Sequence, residues 1–242
     1  PSRVPSNLDL FCNSLGGLLG ACWAQYTGPR VFARIIALEH RLVAPVPHAE
    51  LGLTLLGLWL LLPLSPETLL FGAGDFRYLL GLGGAVPFNA ESFILINASV
   101  TAFNLLALSL LIRLLCVRRR VAYFCALLML LLGLAVSCLA AVVLGGPGDA
   151  FAWLTPGAQL GLAMGVPLAA LCMALPATPR FLLAALALMA GAVLVNLSPP
   201  NPYSQAALAT WRQGHFLNFN GLTRLVGTLW PFLTLPFLLL AS

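Results

Sequence analysis

The chain has 242 residues, of which 60% are hydrophobic and 8% charged, far below the roughly 25% charged of an average soluble domain. So apolar a composition excludes a water-soluble globule, and continuous apolar runs without period-2 alternation exclude a membrane β-barrel. The formal net charge of +5 carries no lysine contribution, and without a basic, aromatic-interleaved patch it points to membrane interfaces and anionic lipid rather than nucleic acid.

Windows of about 17–25 apolar residues suffice to cross a hydrocarbon core of roughly 30 Å. The fold class expected is therefore all-α, a polytopic transmembrane helix bundle of about seven membrane-spanning helices plus short interfacial helices. Leu8 to Ala24 reads as the first span. Ser6 and Asp9 have capping-box spacing at its start, Asp9 and Asn13 share a face, and Gly16 and Gly20 form a GxxxG suited to close helix packing. Residues 26–48 read as a linker whose segment Arg30 to Val43 is an amphipathic surface helix. Arg30, Arg34 and Arg41 fall on one stripe and Val31, Ile35, Leu38 and Leu42 on the other. Glu39 projects from the apolar side.

A six-span extension is expected over 49–242. Ala49 to Leu64 is its short first crossing, and Ser65-Pro66 offers N-cap and N1 chemistry to a further helix. The stretch 66–88 mixes Glu67, Asp75 and Arg77 with Leu-rich and Gly-rich runs, and is read as an interfacial helix and loop. Ser92 to Cys116 is the next span, with Asn97, Thr101 and Asn104 recurring as a polar face in its first half. That face suits interhelical hydrogen bonds or, alternatively, a water-lined or headgroup-binding crevice. Val121 to Leu144 returns across the membrane. Thr155-Pro156 opens a span over 157–175, Thr178-Pro179 opens another over 181–197, and Pro199-Pro200-Asn201-Pro202 stops it. Ser204 to Gln213 reads as a short surface helix, and Leu222 to Ala241 as a last span kinked at Pro231 and Pro236.

Arg118, Arg119 and Arg120 between two spans set the expected orientation, because arginine clusters at span ends stay on the cytoplasmic side. Loops assigned to that side carry Arg30, Arg34, Arg41, Arg113, Arg118, Arg119, Arg120 and Arg180, against Arg3, Arg77, Arg212 and Arg224 on the other. Pro1 is thereby expected outside and Ser242 inside. The opening at Pro1, without methionine, reads as a fragment or processed product.

The run Arg3-Val-Pro-Ser6-Asn-Leu-Asp9-Leu-Phe-Cys-Asn13-Ser-Leu-Gly16-Gly17-Leu-Leu-Gly20 resembles the closing motif of VanZ-like membrane domains, matched at Arg3, Ser6, Asp9, Asn13, Gly16 and Gly20. Residues 1–25 would then be the end of such a domain, whose earlier part lies upstream. Asn196 to Tyr203 followed by Trp211 to Arg224 is similar to the C-terminal extension of long proteobacterial VanZ-like proteins. The family takes its name from an accessory protein of teicoplanin resistance and has no established activity. The resemblance implies a setting in the bacterial cytoplasmic (inner) membrane and the cell envelope, with a link to antibiotic resistance, and no reaction.

Loop 198–224 is the leading candidate site. Arg212, His215 and Arg224 attract an anionic headgroup, Tyr203 and Trp211 with Phe216 and Phe219 lie against lipid tails or a sugar face, and Asn218 and Asn220 add donors. An aromatic belt with interfacial arginines has the same composition. Arg3, Asp9 and Asn13 form a second cluster.

No GxSxG, HExxH, Walker A or dinucleotide glycine loop occurs. Scattered His40, His48 and His215, and cysteines 12, 22, 116, 125, 138 and 172 without CxxC spacing, predict no metal and no disulfide framework. No cofactor is expected, and the partners expected are membrane lipids and lipid-linked envelope intermediates. The leading expectation is non-enzymatic recognition of a lipid, lipid-linked glycan or lipophilic antibiotic. An enzyme modifying a lipid-linked substrate, with Asp9 or His215 as acid or base, and a scaffolding subunit are the alternatives.

Overall fold

The computed structural model describes residues 7–65, 68–80, 87–199 and 217–241, and among them every regular element is helical. The chain divides into two units, residues 1–43 and 44–242.

The first unit is one helix, α1 (Asn7–Leu42), with Pro29 inside it. A span ending at Ala24 and a separate surface helix from Arg30 were expected. Instead 36 residues continue unbroken, about 54 Å at 1.5 Å per residue. Proline removes one N–H and crowds the preceding turn, yet the Ala-, Leu- and Arg-rich turns after it are strong helix formers that resume the ladder. Its apolar side chains, including Phe11, Leu18, Trp23, Tyr26 and Ile35, are exposed, as are Arg30, Arg34 and Arg41.

The second unit is built around α4 (Ala90–Leu115). Asn89 caps it by accepting hydrogen bonds from the N–H groups of Glu91 and Ser92, so it starts two residues before the expected Ser92. In its most apolar window 72% of the residues are buried, against 17% in α5 (Arg119–Gly145), which makes α4 the central helix and leaves α5 largely uncovered. α6 (Pro156–Cys172) and α7 (Ala177–Leu197) pack most extensively on α4, and α8 (Leu217–Leu240) packs on α2 (Ala49–Trp59) and α7. α4, α5, α7 and α8 are long and apolar enough to cross a membrane. The crossings expected at α2 and α6 are shorter apolar helices of 11 and 17 residues.

Close approach of α6 to α4 follows from Gly157, Gly161 and Gly165, spaced four apart. A Cβ on Gly161 would stand 2.6 Å from the Ala98 carbonyl oxygen and from Thr101 Cβ, so only glycine lets the backbones meet. The two expected N-caps around this helix pair differ. Thr155 caps α6 by accepting from the Ala158 N–H, whereas α7 begins at Ala177 with Pro176 in the cap position and no side-chain cap. Pro176 already holds φ −58 and ψ 166, so the helix starts before Thr178, and Pro179 falls within its first turn, where a missing N–H costs no ladder bond.

After α2 the chain makes a 3-10 turn at Leu62–Leu64 and then leaves helical structure. The helix expected behind Ser65-Pro66 does not form over 68–76; a four-residue helix, α3 (Arg77–Leu80), comes later. Residues 69–74 are buried, so this part of the stretch lies within the protein rather than on its surface.

Candidate functional site

A buried, non-helical segment among apolar helices leaves backbone polar groups that must find partners inside the protein. Several of these partners are side chains of distant helices. Thr101 Oγ1 donates to the Leu70 carbonyl at 3.2 Å, and Asn196 Nδ2 donates to the Gly74 carbonyl at 2.7 Å while its Oδ1 accepts from the Phe76 N–H at 3.0 Å. Thr228 Oγ1 donates to the Asp75 carbonyl at 2.9 Å.

The Gly74 N–H donates to the Gly227 carbonyl at 2.8 Å. That carbonyl is free because residue 231, whose N–H would ordinarily close the helical bond, is proline. A proline expected only to kink the last helix therefore supplies an acceptor for the buried segment. Gly74 itself has φ +87, and a Cβ there would lie 2.8 Å from Ala192 Cβ; both the backbone and the space demand glycine. Phe71 takes a positive φ of 58 as well. Its ring, 2% exposed, packs on Trp59 at 4.9 Å between centroids and opposes the conformational cost.

At the end of this segment Asp75 and Arg77 form a closed pair. Asp75 Oδ2 accepts from Arg77 Nη2 at 2.7 Å, and Oδ1 accepts from Arg77 Nε at 2.9 Å and from the Arg77 N–H at 3.0 Å. The side chains are 28% and 18% exposed respectively. Arg77 Nη1 also donates to the Ser198 carbonyl, which ties the pair to the start of loop 198–224. It is the one ion pair among the described residues.

The polar face of α4 is closed. Asn97, Thr101 and Asn104 are all at most 3% exposed. Asn97 Nδ2 donates to Thr155 Oγ1 at 2.7 Å, Thr101 reaches the buried segment, and Asn104 Nδ2 donates to the Val100 carbonyl of its own helix at 2.9 Å. Asn97 and Thr101 thus join α4 to α6 and to the segment, and none of the three is open to solvent. The Asn97 Oδ1 is left buried without a partner.

Tyr203, Trp211, Arg212 and His215 lie outside the described residues, as do Arg3 and Ser6. α8 begins at Leu217, five residues before the expected Leu222, so the end of the expected loop 198–224 is helical; Asn218 and Asn220 contribute backbone to its first turns, and Asp9 and Asn13 to α1, with their side chains outside the described residues. Arg224 is half-buried on α8. Gly16 and Gly20 are exposed, with open space where a Cβ would stand.

Arg118, Arg119 and Arg120 are exposed, and Arg119 stands 6.0 Å from the centre of the Tyr123 ring. Val117, beside them, lines the same cavity as Arg113 and Arg180, so these arginines gather at one end of the bundle. Arg77 belongs to the other end. Ser198, which it contacts, is 18 residues beyond Arg180 along α7, about 27 Å at helical rise.

Sequence reasoning missed Asp75, Asn196, Thr228 and Pro231 as one constellation. Its signals were a lone asparagine near the end of an apolar span, a proline inside another, and an Asp-x-Arg flanked by Gly74. No family model, curated protein or solved structure matches the chain.

Proposed function

We propose that the chain is a multi-pass protein of the bacterial cytoplasmic membrane that recognises a lipid, lipid-linked glycan or lipophilic antibiotic at its outer face without catalysing a reaction. Four long apolar helices support the membrane setting. So does the outward surface of α5, where Phe124, Leu131 and Leu139 are all more than half exposed, an arrangement suited to acyl chains and costly in water.

The observation that carries the reading is the non-helical 69–76 segment, buried over 69–74. Irregular backbone at membrane depth is tolerated where protein encloses it, and broken crossings of this kind recur at membrane-protein binding sites. The segment ends in an Asp75–Arg77 pair bonded to Ser198, beside the root of the arginine- and aromatic-rich stretch 198–224, whose last residues form the start of α8. In this reading the segment is a rigid floor, and Arg212, Arg224, Tyr203 and Trp211 are the groups that meet the ligand.

About seven crossings are part of the proposal, with α1, the combination of α2 and the segment, and the 17-residue α6 added to the four long helices. Arginine asymmetry supports Arg118–Arg120 inside, Pro1 outside and Ser242 inside. Membership of the VanZ-like group rests on the motif residues alone, and the binding reading does not depend on it.

The test is binding of a fluorescent lipid-linked glycan to the protein in nanodiscs. Arg212→Ala and Arg224→Ala are each expected to weaken binding by about tenfold, the loss of one charge-assisted contact. Wild-type affinity in both variants refutes the site.

A further inference from the structure

At the end of the bundle away from Asp75 and Arg77, a cavity of about 210 Å³ lies between the C-terminal turn of α4, the N-terminal turn of α7 and Leu238 of α8. That is room for roughly seven waters at about 30 Å³ each. Two arginines line it, Arg113 and Arg180, and neither pairs with a carboxylate among the described residues.

Arg113 spends one nitrogen on its own helix, with Nη1 donating to the Cys116 carbonyl at 3.2 Å. Its Nε is buried with no partner, although a guanidinium has five N–H donors and a buried one left unmade is costly. Arg180 Nε donates to the Pro176 carbonyl at 3.2 Å, which leaves its two terminal nitrogens without a partner among the described residues.

A third positive element converges there. Ala177, at the start of the 21-residue α7, lines the cavity, and this helix has no side-chain cap; with Pro176 and Pro179 lacking an N–H, the N–H groups of Ala177 and Thr178 are the ones left over at this positive end of the helix dipole. Arg180 in that first turn adds like charge to the dipole end, an arrangement that an anion would relieve. The rest of the wall is apolar, including Leu110, Leu114 and Phe181.

We propose that this cavity binds a phosphate-bearing anion, seated between Arg113, Arg180 and the N-terminus of α7. Planar guanidinium forks match phosphate oxygens in geometry and charge. The chemistry is shared by a phospholipid headgroup, whose chain would lie on Leu114 and Phe181, and by a free phosphate. The site is independent of the proposed recognition at the opposite end and of which end faces the cytoplasm.

The experiment is thermal unfolding and equilibrium binding of the full chain in a neutral maltoside detergent, with short-chain phosphatidylglycerol, phosphatidylcholine of the same chain length, and inorganic phosphate as probes. Phosphatidylglycerol is expected to raise Tm, and phosphatidylcholine, whose headgroup carries no net charge, to raise it less. A shift with phosphatidylglycerol alone assigns the lipid headgroup, and an equal shift with inorganic phosphate assigns the free anion. Arg180→Gln is expected to weaken the binding by about tenfold and Arg180→Lys, which keeps the charge, by less. Absence of a shift with both phosphatidylglycerol and inorganic phosphate, or equal affinity in wild type and both variants, overturns the proposal.

Discussion

Asn196→Ala removes the side chain that clamps the buried segment from both sides. The Gly74 carbonyl, which accepts from Asn196 Nδ2 at 2.7 Å, and the Phe76 N–H, which donates to Oδ1 at 3.0 Å, lose their partners together. Gly74 is buried and Phe76 half-buried. An unsatisfied buried group costs about 1–3 kcal/mol, and the half-buried N–H recovers part of its loss by reaching water. The sum is about 2–4 kcal/mol. The bond from Asn196 to the Ala192 carbonyl adds little, since that carbonyl lies one turn back in the same helix. Asn104→Ala is the control. Its Nδ2 bonds only the Val100 carbonyl of its own helix, so no distant backbone group is orphaned and the cost should be about 1 kcal/mol. Denaturant titration in mixed micelles measures the difference, and amide exchange over residues 70–76 locates it. Equal destabilisation by the two substitutions, with unchanged protection over 70–76, refutes the assignment of Asn196 as the clamp.

Gly74→Ala should cost about 2–4 kcal/mol, because a left-handed φ and an overlap with Ala192 act together, whereas Gly16→Ala, with open space around it, should raise helix stability by up to about 1 kcal/mol; paired unfolding titrations read both. Arg77→Gln should destabilise by about 1–3 kcal/mol, discounted for the pair's partial exposure, by leaving Asp75 unpaired and freeing the Ser198 carbonyl. Its readout is faster proteolysis between residues 199 and 216, and unchanged cleavage contradicts the tether. In a chain with its own cysteines replaced, Arg119→Cys should react with an impermeant maleimide in inverted vesicles and not in intact cells, and the reverse pattern inverts the proposed orientation.

The apolar runs alone established an all-helical chain with helices able to cross a membrane, because segment length and hydropathy are local properties. Thr155 as a cap was legible for the same reason: the cap and the N–H it accepts from are three residues apart. The polar face of α4 was visible as a periodicity, but whether Asn97 and Thr101 met water or protein was not, since the answer lies in the Thr155 cap of α6 and in a segment some thirty residues earlier in the chain, at Leu70. The burial of 69–74 was wholly a tertiary decision. Glycines and a charged Asp75–Arg77 pair resemble a surface loop until Asn196, Thr228 and the carbonyl released by Pro231 converge on its backbone. Likewise Arg113 and Arg180 were counted only as span-end charges; that they share a cavity with an uncapped helix start depends on the packing of α4 against α7. Hydrogen bonds between residues 120 and 153 positions apart leave no spacing in a sequence to find them by.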